Sequence, residues 1–373
     1  MKKLIFRNIF KDITYFFLLS SLSITLIVWV IQSVNFLDFV TEDGHGLGVY
    51  ATYSLLSLPK IFSRLTLFVF FVSTFFVLFR YEENNEISIF WTHGVKKIEF
   101  VNNFIKFSFF FVIIQLIFSY FIVPASQEKA RNLFKTSNID YFPSILKSKF
   151  FNDAIEDVTI FIGEKDLNGN LKEIFLMDSK DNNKGSQIIL SKSGKLIKKN
   201  KNFFLILNNG NIINLDSKKS NILQFTQSEF NLSKYSSKTT IYPKVQETSS
   251  NTLIKCLKFL IIENSILAKK ILNCDQQNIE IVKKELYKRL GVPLYIFLIG
   301  LISSALILKS KRSRNFNFFT FIIFAFGFAA IVLSEVSVQF ISSNIFNNFA
   351  LTLSPIIIAL IVYILIRINL KFG

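Results

Sequence analysis

Six stretches of about twenty apolar residues, set apart by polar segments, dominate the chain. They run at roughly 13–36, 55–79, 101–123, 291–308, 317–340 and 350–368. A helix rises about 1.5 Å per residue, so each stretch is long enough to cross about 30 Å of hydrocarbon. The long gap between the third and fourth stretches has another period. Val158 to Ile162, Leu171 to Met177, Gln187 to Leu190, Phe203 to Leu207, Asn211 to Leu215 and Ile222 to Leu232 are short β-type runs, several alternating apolar with polar. Asp166-Leu167-Asn168-Gly169-Asn170, Lys192-Ser193-Gly194 and Asn208-Asn209-Gly210 read as turns between them. Short strands at that spacing predict a small antiparallel sandwich or jelly roll.

The expected fold class is therefore an α-helical six-span membrane bundle with an inserted antiparallel β, jelly-roll-like domain. Residues 1–123 hold spans 1–3 with a cytoplasmic helix at about 82–94. Residues 124–290 form the periplasmic β domain with helical connectors, and 291–373 hold spans 4–6. Within the connectors, Leu253 to Leu272 is nearly apolar enough to span. Lys255, Lys258, Glu263, Lys269 and Lys270 interrupt it, so it reads as an amphipathic surface segment.

Composition agrees with a lipid-facing surface: 51% of residues are hydrophobic, more than a soluble core of this length requires. The net charge of +17 comes with abundant Phe, Ile, Asn and Lys, and no lysine block marks a nucleic-acid partner. Two readings of that charge stay open: compositional drift from an AT-rich genome, which is favoured, and attraction to anionic lipid or phosphate groups. Met1-Lys2-Lys3 with Arg7 and Lys11 looks like the start of a secretory signal, but the apolar stretch that follows is too long, so it reads as an uncleaved first span. The loop after span 1 carries Asp38, Glu42 and Asp43 without Lys or Arg, while the loop between spans 4 and 5 holds Lys309, Lys311, Arg312 and Arg314 without an acid. The positive-inside bias then puts both termini in the cytoplasm and 124–290 outside.

Candidate chemistry is sparse. No phosphate loop, HExxH, GxSxG or CxxC is present, and the two histidines, His45 and His93, are expected on opposite sides of the membrane. No catalytic, cofactor-binding or metal residues are expected, so work on a cargo needs energy from a partner. Cys256 and Cys274 match no metal or redox spacing, and free thiols are favoured over a bridge. The segment Tyr81 to Gly94 draws more interest. Ile87, Phe90 and Trp91 share a face, Glu86 precedes them, and Gly94 is a helix-stop signal. Two readings stay open: a lever whose apolar ridge docks in a groove of a cytoplasmic partner, or an interfacial helix resting on headgroups. On span 1, Gln32 and Asn35 share a face and meet either lipid headgroups or a neighbouring helix, the helix being favoured. Arg64 and Glu335, near the outer ends of spans 2 and 5, are expected to pair directly or through water, against separate snorkelling of each.

These residues resemble the LptF/LptG (YjgP/YjgQ-type) permeases of the lipopolysaccharide exporter. The likeness runs through Trp29 to Asp38, Leu58-Pro59, Asn85-Glu86-Ile87 to Gly94, Glu285 to Arg289 and Pro293, in that order. The first outer loop and Ile160 to Asp166 look closer to the LptF member. Trp91 stands where the family usually has arginine, Thr92 and His93 where it has small residues, and Leu67 where it often has a second proline. The resemblance implies a non-catalytic permease subunit of an ATP-driven exporter of lipopolysaccharide. Its partners would be an LptG-like second permease, two LptB-like ATPase subunits, and LptC-like and LptA-like jelly-roll proteins, with ATP held by the ATPase. It also implies that Glu86, Ile87, Phe90, Trp91 and Gly94 form the coupling helix, that spans 1 and 5 are gates, and that the β domain passes acyl chains onward. Two alternatives remain: a permease of this architecture for another lipid, and a membrane-anchored scaffold or sensor.

Overall fold

A computed structural model describes residues 2–36, 47–137, 148–155, 157–166, 169–179, 186–199, 202–215, 220–232, 244–261, 274, 278–342 and 345–372. Asp38, Glu42, Asp43, His45, Glu263, Lys269 and Lys270 lie outside the described residues. The helices are α1 (Lys2–Phe36), α2 (Leu47–Glu83), α3 (Ser88–Thr92), α4 (Lys97–Ile117), α5 (Val123–Ser137), α6 (Ser250–Ile261), α7 (Ile279–Leu290), α8 (Tyr295–Ser304), α9 (Phe316–Gln339) and α10 (Ile345–Phe372). A π-helical turn, Phe118–Ile122, joins α4 to α5, and a 3-10 turn, Val292–Leu294, joins α7 to α8. Six of the resulting rods are long and apolar enough to cross a membrane, at the six stretches read from hydropathy. The chain divides into two compact bodies: the helical bundle (1–30, 56–128, 244–373) and a body holding the sheet (31–55, 129–243).

The bundle is organised around the fourth span. Of its apolar window 78% is buried, against 17% for the sixth. Close approach is bought by small residues at the crossings. A Cβ on Gly300 would fall 1.9 Å from Ser108 Oγ, and one on Gly327 would fall 2.0 Å from the Phe71 ring. Without water to squeeze helices together, such contacts and a few polar bonds hold a membrane bundle. Thr74 Oγ1 donates to Ser303 Oγ (3.1 Å) between spans 2 and 4. Phenylalanines fill the space between spans 1 and 3: Phe10 stacks on Phe107 with centroids 4.5 Å apart, and Phe6 meets Phe100 at 5.7 Å. Apolar side chains on the outside of the bundle, such as Phe318 and Phe321 on α9 and Phe346 on α10, are exposed. In a soluble protein that surface would be a liability; against lipid it is the expected exterior.

The second body is built on β1 (Phe151–Ile155), β2 (Val158–Lys165), β3 (Asn170–Asp178), β4 (Ser186–Lys199), β5 (Asn202–Leu215) and β6 (Ser220–Asn231), each antiparallel to its neighbour in sequence. This is the expected antiparallel domain, but its strand order is a plain meander. Two of the three turns read from the sequence are not turns. Lys192-Ser193-Gly194 and Asn208-Asn209-Gly210 lie inside β4 and β5, each 14 residues long. Gly163, Glu173, Lys192, Asn209 and Thr226 are left unpaired while the register on either side of them stays the same, and since they face one another from β2 to β6 they form a line across the sheet. Glu173 and Asn209 have left-handed backbones, φ 54° and 53°.

On either side of that line the buried parity changes. Val158, Ile160, Ile162, Ile174, Leu176 and Ile189 are buried on one side, and Leu171, Phe203, Leu205, Leu207 and Phe230 on the other, all in one cluster. In a regular strand alternate residues face one side without interruption, so a residue with a non-extended backbone resets the count. The line is therefore a crease in the sheet, and the buried residues on both sides of it belong to one apolar core. The sequence predicts a small sandwich or jelly roll; the strands instead form one antiparallel six-stranded sheet. Close backbone approach explains the glycines: a Cβ on Gly210 would fall 2.2 Å from the Leu190 carbonyl oxygen, and one on Gly194 2.6 Å from that of Ile206. Buried Ser191 donates from Oγ to the Ser193 and Asn208 carbonyls (2.8 Å each), which the crease leaves open.

A correction concerns the cysteines. Cys256 and Cys274 form a disulfide with S–S 2.05 Å, where free thiols were expected. Their spacing of 18 residues carries no motif; packing brings them together, since Leu253 and Cys256 of α6 share a small core with Val282 and Leu286 of α7.

The crease makes a direct prediction. Gly210→Ala drives a Cβ into a carbonyl oxygen that has no room to yield, and overpacking of this kind costs about 1–3 kcal/mol. Pulse proteolysis of the full chain should show the sheet domain cleaved at lower denaturant. Gly48→Ala, whose Cβ would meet nothing within 4 Å, should leave it unchanged.

Candidate functional site

Two features of the bundle carry candidate chemistry, one at each end. The first is the bend between spans 2 and 3. The Asn85 amide bonds the Glu82 carbonyl and the Glu86 amide reaches back to the Tyr81 carbonyl (2.8 Å), with Asn85 left-handed at φ 59°. The same pair of bonds recurs one helix later: Gly94 to Trp91 and Val95 to Phe90, with Gly94 at φ 72°. Two such caps, each closing the open carbonyls of a helix end, bracket the five-residue α3 and fix its direction. Asparagine and glycine stand at the two positions where the chain needs positive φ.

The bend corrects one reading. Ile87 and Phe90 are each 1% exposed, packed into the bundle core with Phe6 and Phe100, and Trp91 is half-buried against the same core. The apolar ridge therefore anchors the bend to its own bundle and is not a free docking face. A shared face at i, i+3, i+4 is real, but spacing does not say which way it points. The surface presented outward is polar with one apolar residue: Ser88, Ile89, Thr92 and His93, beside half-buried Glu86, which accepts from Asn84 Nδ2 (3.1 Å). Tyr81 Oη donates to Asp12 Oδ2 (2.6 Å), tying the bend to span 1.

The second feature is a cavity of about 300 Å³ near the other end of spans 2 to 5, some twenty residues of helix away from the bend. Its polar wall carries Lys60, Arg64, Lys288 and Arg289 against Glu285 and Glu335. Arg289 is the built part of this wall. At 3% exposure it donates to Glu285 Oε1 (2.9 Å), the Gln246 carbonyl (3.0 Å), the Thr248 carbonyl (2.9 Å) and Ser250 Oγ (2.9 Å). Its own carbonyl accepts from Ser119 Oγ (2.7 Å), within the π-helical turn. Such turns break the helical ladder and often mark functional positions. On the other wall, Gln115 Nε2 donates to the Ser63 carbonyl (2.8 Å) and Oγ (3.0 Å). With Arg289 matched by Glu285, the remaining lining charges are Lys60, Arg64 and Lys288 against Glu335, a surplus of positive charge suited to an anionic group.

Arg64 and Glu335 border this cavity together, as their depth in the spans implied, and both are exposed. No ion pair joins them directly, which corrects the direct form of the expected pairing. Gln32 is half-buried and Asn35 exposed on the last turns of α1, and neither is among the described walls of the cavity. Lys60, Lys288, Arg289 and Gln115 were not anticipated as site residues. The signal was present: Lys60 and Arg64, and again Glu285 and Arg289, are i, i+4 charge pairs beside apolar runs, and that spacing puts each pair on one helix face.

A family model described as the lipopolysaccharide export system permease LptF/LptG matches residues 7–369, which takes in both the bend and the cavity. The chain belongs to the LptF/LptG permease family. An uncharacterized protein of Rickettsia prowazekii (strain Madrid E) is 21% identical over 342 residues, covering 91% of each chain. Membership of a lipopolysaccharide export permease family, with six helices able to span, makes this a multi-pass inner-membrane transport protein. The six-strand antiparallel sheet domain fits the same permease architecture.

Arg289 offers a test of the cavity wall. Removing one side of a buried ion pair costs about 3–5 kcal/mol, because its partner and acceptors are stranded. Arg289→Leu should lower the thermal stability of the detergent-solubilised protein and raise hydrogen exchange across 244–250. Arg312→Leu, at an exposed loop position, should change neither.

Proposed function

We propose that this chain is one permease half of an ATP-driven exporter that takes lipopolysaccharide from the inner membrane, with a second permease beside it and a separate nucleotide-binding subunit docked on the bend. The observation that carries this reading is the bend itself. A five-residue helix, capped on both sides and nailed to the core by Ile87 and Phe90, is a rigid handle. Its outward face offers Glu86 to a cationic side chain of the partner, and Ile89 to a shallow apolar spot. Binding there moves spans 2 and 3 as one body, because the handle cannot swivel.

In this reading the bend end is cytoplasmic. The acid-free loop Lys309 to Arg314 at that end supports the orientation, and so does the Cys256–Cys274 bridge in the segment beyond the other end, since disulfides persist in oxidising compartments. The cavity then opens toward the outer leaflet. Lys60, Arg64 and Lys288 face the phosphates of lipid A, while Leu67, Phe68 and Ile331 meet the first carbons of its acyl chains. The creased sheet, greasy inside and bearing exposed Ile222 and Leu223 on its last strand, receives the acyl chains and passes them to a neighbouring jelly roll by edge pairing. The polar outer face of the bend favours a protein partner over a helix resting on headgroups, which would turn its apolar side to lipid.

Affinity purification of the tagged full chain in mild detergent tests this. A second six-span permease and a nucleotide-binding subunit should be recovered with it. Glu86→Ala removes a charge-assisted contact of about 1.5–3 kcal/mol, so recovery of the nucleotide-binding subunit should drop about tenfold or more while the second permease stays. Recovery of the chain alone, under conditions that preserve other membrane complexes, would overturn the reading.

A further inference from the structure

We propose that the loop between spans 4 and 5 is a second output of the bend, and that Glu82 and Lys97 are the positioning residues that carry movement into it. This rests on the reading that a nucleotide-binding subunit docks on the bend. The loop is the most basic short segment of the bundle, and a string of lysines and arginines without acids would ordinarily be a solvated fringe. Here it is jointed to both arms of the bend.

The first joint is Glu82. It sits on the last turn of α2 at 7% exposure, and its Oε1 accepts the backbone amide of Lys311 at 2.8 Å. A carboxylate is costly to bury unless donors reach it, so this bond is a built contact and not a passing one. The Lys311 side chain adds to it, with Nζ donating to the Glu83 carboxylate and to the Glu83 carbonyl. The second joint is Lys97, the first residue of α4. Its Nζ donates to the Leu308 carbonyl at 3.2 Å, closing one of the open carbonyls at the C-terminal end of the fourth span. The same ammonium stands 6.0 Å from the centre of the Trp91 ring on α3, within reach of a weak cation–π attraction.

The chain of contacts therefore runs from α3 through Trp91 and Lys97 to the end of span 4, and from the end of α2 through Glu82 to Lys311 in the loop that leads into span 5. Span 4 is the most enclosed rod of the bundle, and α9 lines the cavity with Ile331, Ser334 and Glu335 about five turns from the loop. Helices transmit axial and tilting displacements over that distance with little loss. A push on the bend thus reaches both faces of the cavity: span 2 directly, and span 5 through the loop. Without the joints the handle would hold spans 1, 2 and 3, no polar contact would tie it to span 5, and the cavity would change shape on one wall.

The test uses the whole complex, purified through the tagged chain and reconstituted in proteoliposomes containing lipopolysaccharide. Hydrolysis and lipopolysaccharide extracted per ATP are measured together. Glu82→Leu removes the acceptor. Lys97→Met, at a partly exposed position, opens the other joint without disturbing the core. Both variants should keep the nucleotide-binding subunit and hydrolyse ATP within about twofold of the unmutated complex, yet extract about tenfold less lipopolysaccharide per ATP, the scale set by losing one charged hydrogen bond. Glu82→Gln, which retains an acceptor oxygen, should restore most of the yield. Unchanged extraction per ATP in both variants would overturn the proposal and leave the docking reading standing. Loss of the nucleotide-binding subunit from both would also overturn it, since the joints would then belong to docking. Failure of the unmutated chain to recover any such subunit would overturn the docking reading itself, and the proposal with it.

Discussion

A peptide group inside hydrocarbon finds no water to bond, and an apolar helix there gains nothing by hiding from lipid that is as apolar as itself. That constraint shapes the whole bundle. Every span must close its own backbone ladder, and spans adhere only where side chains allow close approach. Gly300 on Ser108 and Gly327 on Phe71 are the places where a single added carbon would force helices apart. Polar groups in the middle of the bundle are small hydroxyls, some of them matched across spans, such as Thr74 with Ser303. Charges are pushed toward the two ends, and the ends consequently hold the chemistry.

The two ends differ in kind. At the bend, polar contacts are joints between rods: Tyr81 with Asp12, Glu82 with the Lys311 amide, Lys97 with the Leu308 carbonyl. At the cavity, the one dense knot is Arg289, whose donors go to Glu285 and to the 246–250 segment, while Lys60, Arg64 and Lys288 also line the wall. A rigid handle at one end and a basic, half-apolar recess at the other, joined by continuous helices, is the arrangement a permease needs if energy enters at one side and cargo at the other. The family to which the chain belongs gives that arrangement its cargo class.

Much of this was legible in the amino-acid order, for physical reasons that also explain the rest. Span positions follow from length and hydropathy alone, because nothing but a helix can satisfy twenty consecutive apolar residues in lipid. Strand positions 158–162, 171–177 and 203–207 were legible from alternation. The crease was not, because Asn209-Gly210 and Ser193-Gly194 look alike whether they reverse a chain or bend it. β1 escaped because Phe151-Asn152-Asp153-Ala154-Ile155 carries little β-type pattern. The disulfide was hidden because it depends on α6 folding back along α7, a tertiary fact. The ridge of Ile87 and Phe90 was correctly seen as one face and wrongly aimed, since periodicity is symmetric between inside and outside. The cavity's Lys60, Lys288 and Arg289 were in view as charges near apolar runs. Only the packing of four spans assembles them into one wall.

The central proposal is that the bend and the sheet domain lie in different compartments, the bend in the cytoplasm and the sheet outside it. Both native cysteines are bridged, so a single introduced cysteine is the sole reactive thiol. Labelling of Lys172→Cys on β3 and Thr92→Cys on α3 with a membrane-impermeant maleimide, in spheroplasts and again after lysis, reads the orientation directly. The predicted result is that Lys172→Cys reacts in intact spheroplasts and Thr92→Cys only after lysis. The reverse pattern, or reaction of both before lysis, contradicts it.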